Sequence, residues 1–234
     1  MRCLKILFVG FILLFTHAAS ARNSDKVEID KERYFSEDFE LTIQKAEQGD
    51  AGSQHMLGWS FRDGIKTPKS AEKALYWYEQ AAKQNYRISI FDAGVLYFEG
   101  YGIPQDIEKG MSYFLKAHSL KFPPATEELG RIYIHGRNGI EKDVSKGIDY
   151  LTQSAAQGMP KSIYLLAHAY LKGFGVEKDE YKGILMLIRA GNKGLERAQA
   201  DIKRFEKQNG GTFQNYLKEK FNHDEPPYSW EQSQ

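Results

Sequence analysis

Two series of small residues recur along the chain at almost constant distance. Gly64, Gly100, Gly136 and Gly173 are 36, 36 and 37 residues apart, and Gly58, Gly94, Gly130 and Ala167 keep the same spacing. A period of this length marks stacked units, each exposing an apolar face that only its neighbour covers. The chain is therefore expected to form an elongated stack, not a globule around one centre.

Aligning the units on these glycines turns the columns into physical positions. In the first helix of each unit, Leu57, Ala93, Leu129 and Leu166 share one column and Phe61, Tyr97, Tyr133 and Tyr170 another. Residues four apart lie on one helix face, so the two columns predict one buried stripe, with the glycine column beside it. A glycine inside a helix costs about 1 kcal/mol against alanine; its recurrence predicts a neighbouring helix too close for a side chain. Gly64, Gly100, Gly136 and Gly173 end the first helices, where glycine supplies the left-handed closing conformation. The third turn, Gly136-Arg137-Asn138-Gly139-Ile140, carries one extra residue, which accounts for the single 37. Ser70, Asp106, Asp143 and Asp179 follow six or seven residues later as N-caps of the second helices. The buried columns expected there are Ala74/Gly110/Gly147/Gly183, Trp77/Tyr113/Tyr150/Met186 and Ala81/Ala117/Ser154/Ala190. Asn85, Lys121, Gly158 and Gly194 close the units.

The predicted organisation is a signal peptide at 1–21, a flexible leader at 22–35, an N-terminal capping helix at 36–48 and four repeats at 49–85, 86–121, 122–158 and 159–194. C-terminal capping helices at 195–221 and a tail at 222–234 complete it. The first segment has a basic start (Arg2, Lys5), a short apolar run from Ile6 to Phe15 and the small residues Ala19-Ser20-Ala21, the layout of a secretory signal. The run is too short for a membrane span. Cleavage after Ala21 leaves 213 residues without cysteine, since Cys3 is the only one, and changes the formal net charge from +1 to −1, with 30 basic and 31 acidic residues. Such a balance argues against a nucleic-acid partner. The absence of Asn-x-Ser/Thr fits an exported bacterial protein, periplasmic or secreted.

These residues resemble the Sel-one-like repeat (SLR) family, relatives of the tetratricopeptide repeats. The family unit reads Ala-x-x-x-Leu-Gly-x-x-Tyr-x-x-Gly-x-Gly-Val-x-x-Asp, then Ala-x-x-Trp-x-x-x-Ala-Ala-x-x-Gly. Ser162 to Asp179 and Ala74 to Asn85 match it; in the second unit Ala93 stands in the leucine column and Leu96 is displaced from it. The first turn lacks the second glycine, and His118 replaces an alanine. The resemblance spans about Gly49 to Gly194. It implies an all-α, right-handed α-solenoid of helix-turn-helix repeats (an α/α superhelix) that serves as an adaptor or protein-binding scaffold.

No catalytic constellation accompanies the repeats. His55, His118, His135, His168 and His223 have no metal-ligand spacing, and structural or solvated roles are expected for them. The Gly-Tyr-Gly and Gly-Phe-Gly turns follow no strand and precede no Gly-Lys-Ser/Thr, so they are helix-ending turns. Glu127 and Glu128, adjacent on a helix, diverge. The chain is expected to be a monomer without enzymatic activity, cofactor or metal. A cell-wall hydrolase or amidase is disfavoured, because it needs a nucleophile or metal cluster.

One pattern on the first helices remains. Their face opposite the Leu/Tyr stripe presents Met56, Trp59 and Asp63 in unit one, Asp92, Val95 and Glu99 in unit two, Glu128, Arg131 and His135 in unit three, and Leu165, His168 and Lys172 in unit four. In related solenoids the first helices line the concave surface. On that basis the surface runs from acidic and apolar to basic and binds a protein or peptide, with Trp59 as anchor. Compartment, size and family habit also admit a periplasmic immunity protein that neutralises a toxic effector.

Overall fold

The computed structural model describes residues 39–221. The expected signal peptide, leader and tail, and the first three residues of the expected 36–48 helix, lie outside the described residues. Within them the chain forms eleven α-helices and one 3-10 turn, with no strand. A short helix α1 (Phe39–Glu47) precedes four hairpins: α2 (Ala51–Asp63) with α3 (Ala71–Lys83), α4 (Arg87–Glu99) with α5 (Ile107–Ser119), α6 (Pro123–His135) with α7 (Val144–Ala156), and α8 (Pro160–Lys172) with α9 (Glu180–Asn192). The last pair, α10 (Glu196–Asn209) and α11 (Phe213–Phe221), covers the end. Each helix packs on the next in the chain, so the hairpins stack in series.

The caps sit where the sequence puts them. Ser70, Asp106, Asp143 and Asp179 accept from the backbone N–H of Lys73, Lys109, Lys146 and Lys182. The four first helices of the hairpins end on Gly64, Gly100, Gly136 and Gly173, all left-handed with φ between 67° and 74°. The first turn lacks a second glycine, and Lys66 takes the left-handed conformation of its counterpart Gly102. Asn85 and Lys121 do the same where Gly158 and Gly194 close later units.

The helical glycines are explained by their opposite numbers. A Cβ on Gly94 would lie 2.9 Å from the Phe114 ring, and one on Gly130 2.9 Å from Leu151. Conversely, a Cβ on Gly110 would lie 2.7 Å from Phe98, and one on Gly147 2.5 Å from Ile134. The second and third hairpins are thus interlocked twice, a large side chain of either helix filling the gap left by a glycine on the other; the first hairpin keeps only Gly58 against Tyr78 and the fourth only Gly183 against Leu171.

Two packing expectations need correction. The deepest column of the second helices is Tyr78, Phe114, Leu151 and Leu187, all buried. It lies one residue beyond the predicted Trp77/Tyr113/Tyr150/Met186 column, whose three aromatic members are only half-buried. Likewise Phe61, Tyr97, Tyr133 and Tyr170 are half-buried. The ammonium groups of Lys109, Lys146 and Lys182 lie about 4 Å over the three tyrosine rings. These tyrosines roof the core edge instead of filling its centre, because their hydroxyls stay near water.

Candidate partner-binding surface

Side chains of successive first helices touch, which makes α2, α4, α6, α8 and α10 one continuous row. His55 meets Ser89 across α2 and α4 (3.0 Å), Ser162 donates to Glu127 across α6 and α8 (3.3 Å), and Tyr164 donates to Asp201 across α8 and α10 (2.8 Å). The twelve predicted site residues all lie on this row. Met56, Trp59, Val95 and Leu165 are half-buried, while Asp63, Arg131, His135 and Lys172 are exposed.

The row is more paired than its sequence suggests. Glu99 and Glu128 are bridged by Arg137, a residue of the enlarged third turn (Arg137–Gly139), and Glu128 also accepts from Arg131 at 3.0 Å. Asn138 of that turn, left-handed at φ 52°, donates to the carbonyl of Phe98 at 2.8 Å. The extra residue therefore stitches unit three to unit two. At the far end His168 faces Asp201 at 3.2 Å. The acidic and basic ends expected from the sequence are thus partly neutralised by Arg137 and Asp201.

The joint between units one and two is polar. Arg62 stands where later units have Phe98, Ile134 and Leu171. Its guanidinium donates twice to Asp63, at 2.8 and 3.1 Å, and Trp59 Nε1 donates to the same carboxylate. Asp92 lies beneath, its side chain 17% exposed, with His55 Nδ1 at 3.7 Å and Arg62 Nη1 at 3.8 Å. Burial, opposed by Arg62 and reinforced by Asp63, raises the Asp92 carboxyl to about 6. Burial, helped by the positive charge of Arg62, lowers His55 to about 4, so its imidazole is neutral near pH 7. Tyr78 reaches the same place from α3, fully buried, and its hydroxyl has no hydrogen-bond partner among the described residues.

Sequence reasoning missed His55, Arg62, Tyr78, Arg137 and Asp201 as parts of this surface. A signal existed for the first two. At the repeat period Arg62 aligns with Phe98, Ile134 and Leu171, a polar group in an otherwise apolar column, and His55 aligns with Phe91, Glu127 and Tyr164, a column that turns polar again in unit three.

A second concavity, about 730 Å³, lies between α3, α5 and the turn before α5, and includes Leu75, Tyr76, Glu79, Tyr97 and Ile103. Its central carboxylate is satisfied within the fold: Glu79 accepts from Tyr97 at 2.7 Å and Tyr113 at 3.2 Å and pairs with Lys109 at 3.2 Å. Among the described residues no cluster of three histidine, cysteine or acidic side chains could hold a metal ion, and no helix is long and apolar enough to cross a membrane.

Comparison with known proteins agrees with this architecture. The profile of the Sel1 repeat matches residues 51–86, 88–120, 123–159 and 160–195. The chain is similar to the Sel1 repeat protein of Oxalobacter formigenes, with 26% identity and a TM-score of 0.65 over 70% of this chain and 66% of that one. It is 30% identical over 109 residues to the ERAD-associated E3 ubiquitin-protein ligase component HRD3B of Arabidopsis thaliana, covering 46% of this chain and 17% of the relative. It is 24% identical over 214 residues to chitin synthase regulatory factor 2 of Schizosaccharomyces pombe, covering 86% of this chain and 41% of the relative. The chain thus spans less than half the length of either curated relative.

Proposed function

The chain belongs to the Sel1 repeat family, and from that premise we propose that it is a non-catalytic, exported scaffold that binds a protein or peptide along its row of first helices. The observation that carries this is the row itself. Half-buried Met56, Trp59, Val95 and Leu165 alternate along it with the charged groups of Asp63, Asp92, Glu99 and Glu128. Apolar anchors set among polar positions are what a specific interface uses: the anchors supply affinity and the charges fix register. The roles of the two relatives, a ligase component and a synthase regulatory factor, favour binding over catalysis. Export rests on the basic, apolar and small-residue pattern of 1–21.

The test is affinity capture from the envelope fraction with the wild-type chain and with Trp59→Ala. The variant is expected to keep its helix content and melting temperature and to lose most of the captured partner. Capture unchanged by this substitution would overturn the reading. A toxic effector among the partners would narrow the role to neutralisation. N-terminal sequencing of the mature protein is expected to begin at Arg22.

A further inference from the structure

Five of the carboxylates on the row, Asp63, Asp92, Glu99, Glu128 and Asp201, differ in one respect. Asp63 accepts from Arg62 and Trp59, Glu99 from Arg137, Glu128 from Arg131 and Arg137, and Asp201 from Tyr164 and His168. Asp92 alone accepts no hydrogen bond among the described residues. Its two nearest cationic or potentially cationic nitrogens stand off at 3.7 and 3.8 Å. One of them, on His55, carries no charge near neutrality. The other belongs to Arg62, whose hydrogen bonds go to Asp63. Asp92 is thus left without a direct cationic donor among the described residues.

The surroundings suit a side chain of that charge. A carboxylate mostly removed from water is stabilised by direct, charge-assisted hydrogen bonds far more than by ions at nearly 4 Å. Beside it the buried Tyr78 hydroxyl, also unpartnered, is close enough for Asp92, Arg62 and Asp63 to act on its ionisation. Met56 and Trp59 flank the position on the row and offer apolar surface to the aliphatic stem of a long basic residue.

We infer that the polar joint between α2 and α4 at Asp92 is the specificity site of the row and receives a lysine or arginine side chain of the partner protein. This rests on the proposed partner-binding role of the row and names the chemistry read there. The cation displaces no existing hydrogen bond of Asp92, and Tyr78 provides a second acceptor beside it.

The probe is a pair of blocked pentapeptides with a central arginine or lysine between apolar residues. Each is titrated into the mature chain and followed by amide and Trp59 indole NMR shifts. Binding is expected to shift resonances of residues 55–63 and 89–95, and the same peptide with a central glutamate is expected to leave them in place. Asp92→Asn is expected to weaken the basic peptides at least tenfold; Lys178→Ala, exposed in the turn before α9 and off the row, is expected to change nothing beyond twofold. Lowering the pH from 7.5 to 5 is expected to weaken binding about tenfold in the wild type and not in Asp92→Asn, because the carboxyl protonates near 6. Of the other groups facing it, His55 and Tyr78 stay neutral and Arg62 stays charged over that range; Asp63 is common to the wild type and Asp92→Asn, so the difference between their profiles isolates Asp92. Equal binding of the basic and acidic peptides, or binding indifferent to Asp92→Asn, would overturn the inference. Tighter binding of free spermidine than of either peptide would overturn the assignment to a protein side chain. Should these peptides fail while envelope capture still depends on Trp59, the site falls and the scaffold stands. Should capture ignore Trp59 as well, both fall.

Discussion

The two halves of the solenoid solve the same stacking problem with different materials. From Ile134 to Leu217 a single apolar cluster of sixteen buried residues runs through units three and four into the terminal pair of helices. The first two units and their junction with the third are filled by three smaller clusters of five, four and four. The contrast is sharpest at equivalent positions of two joints. Units three and four meet through Glu127, Ile134, Leu151 and Leu165, with the one carboxylate held by Ser162. Units one and two place His55, Arg62, Tyr78 and Asp92 there. An interruption of the apolar column by four polar groups at one joint is what the proposed recognition there would require.

Truncation in the continuous core should have the largest effect. Leu151→Ala is expected to destabilise the chain by about 2–5 kcal/mol, read from chemical denaturation, because the side chain is buried and packs on Gly130. The polar joint should instead be revealed by pH. In the folded chain Asp92 titrates near 6, above its ordinary 3.8, and His55 near 4, below its ordinary 6.5. In His55→Gln, only Asp92 remains; the folded state takes up its proton first, so stability should rise by about 2–3 kcal/mol as pH falls from 7 to 4. In Asp92→Asn, only His55 remains; the unfolded state takes up its proton first, and stability should fall by a similar amount over the same window. In the wild type the two contributions oppose each other. Parallel profiles in the two variants would remove the electrostatic half of the comparison.

Converting the first joint into the third is a sharper test of smaller size. Arg62→Ile combined with Asp92→Leu replaces a half-buried ionic group by the residues of units three and four. It is expected to stabilise by about 1–2 kcal/mol in denaturant melts, since buried ion pairs rarely outperform well-packed apolar ones, while abolishing partner capture. Smallest of all, Lys121→Gly relieves a left-handed backbone at φ 59° and should raise stability by about 1 kcal/mol.

Most of the scaffold was legible because its determinants are local. Capping aspartates and helix-ending glycines act within one turn of the chain, and the 36-residue period exposed them. The second-helix core was misread by one residue, Trp77 for Tyr78, because neighbours on a helix lie only about 100° apart and both border the core. What decides between them is Gly58 on the partner helix, whose empty side admits the Tyr78 ring. Periodicity alone puts the twelve chosen positions on the first helices. Their pairing could not be read that way, because Arg137 reaches Glu99 only through the left-handed turn at Asn138, and Asp201 reaches His168 only because a fifth helix continues the row.

The reciprocal interlock between glycine and large residue has a consequence for how such chains lengthen and shorten. Gly94 and Phe114, like Gly110 and Phe98, belong to one hairpin. A hairpin therefore carries both halves of this fastening and behaves as a cassette: duplicating or excising it whole leaves each of these knobs with its socket, while the turn glycines Gly102 and Gly175 pack on Ala71 and Val144 of the hairpin before. The enlarged third turn adds a polar tie, since Asn138 hydrogen-bonds onto the hairpin before it, and units two and three travel best as a pair.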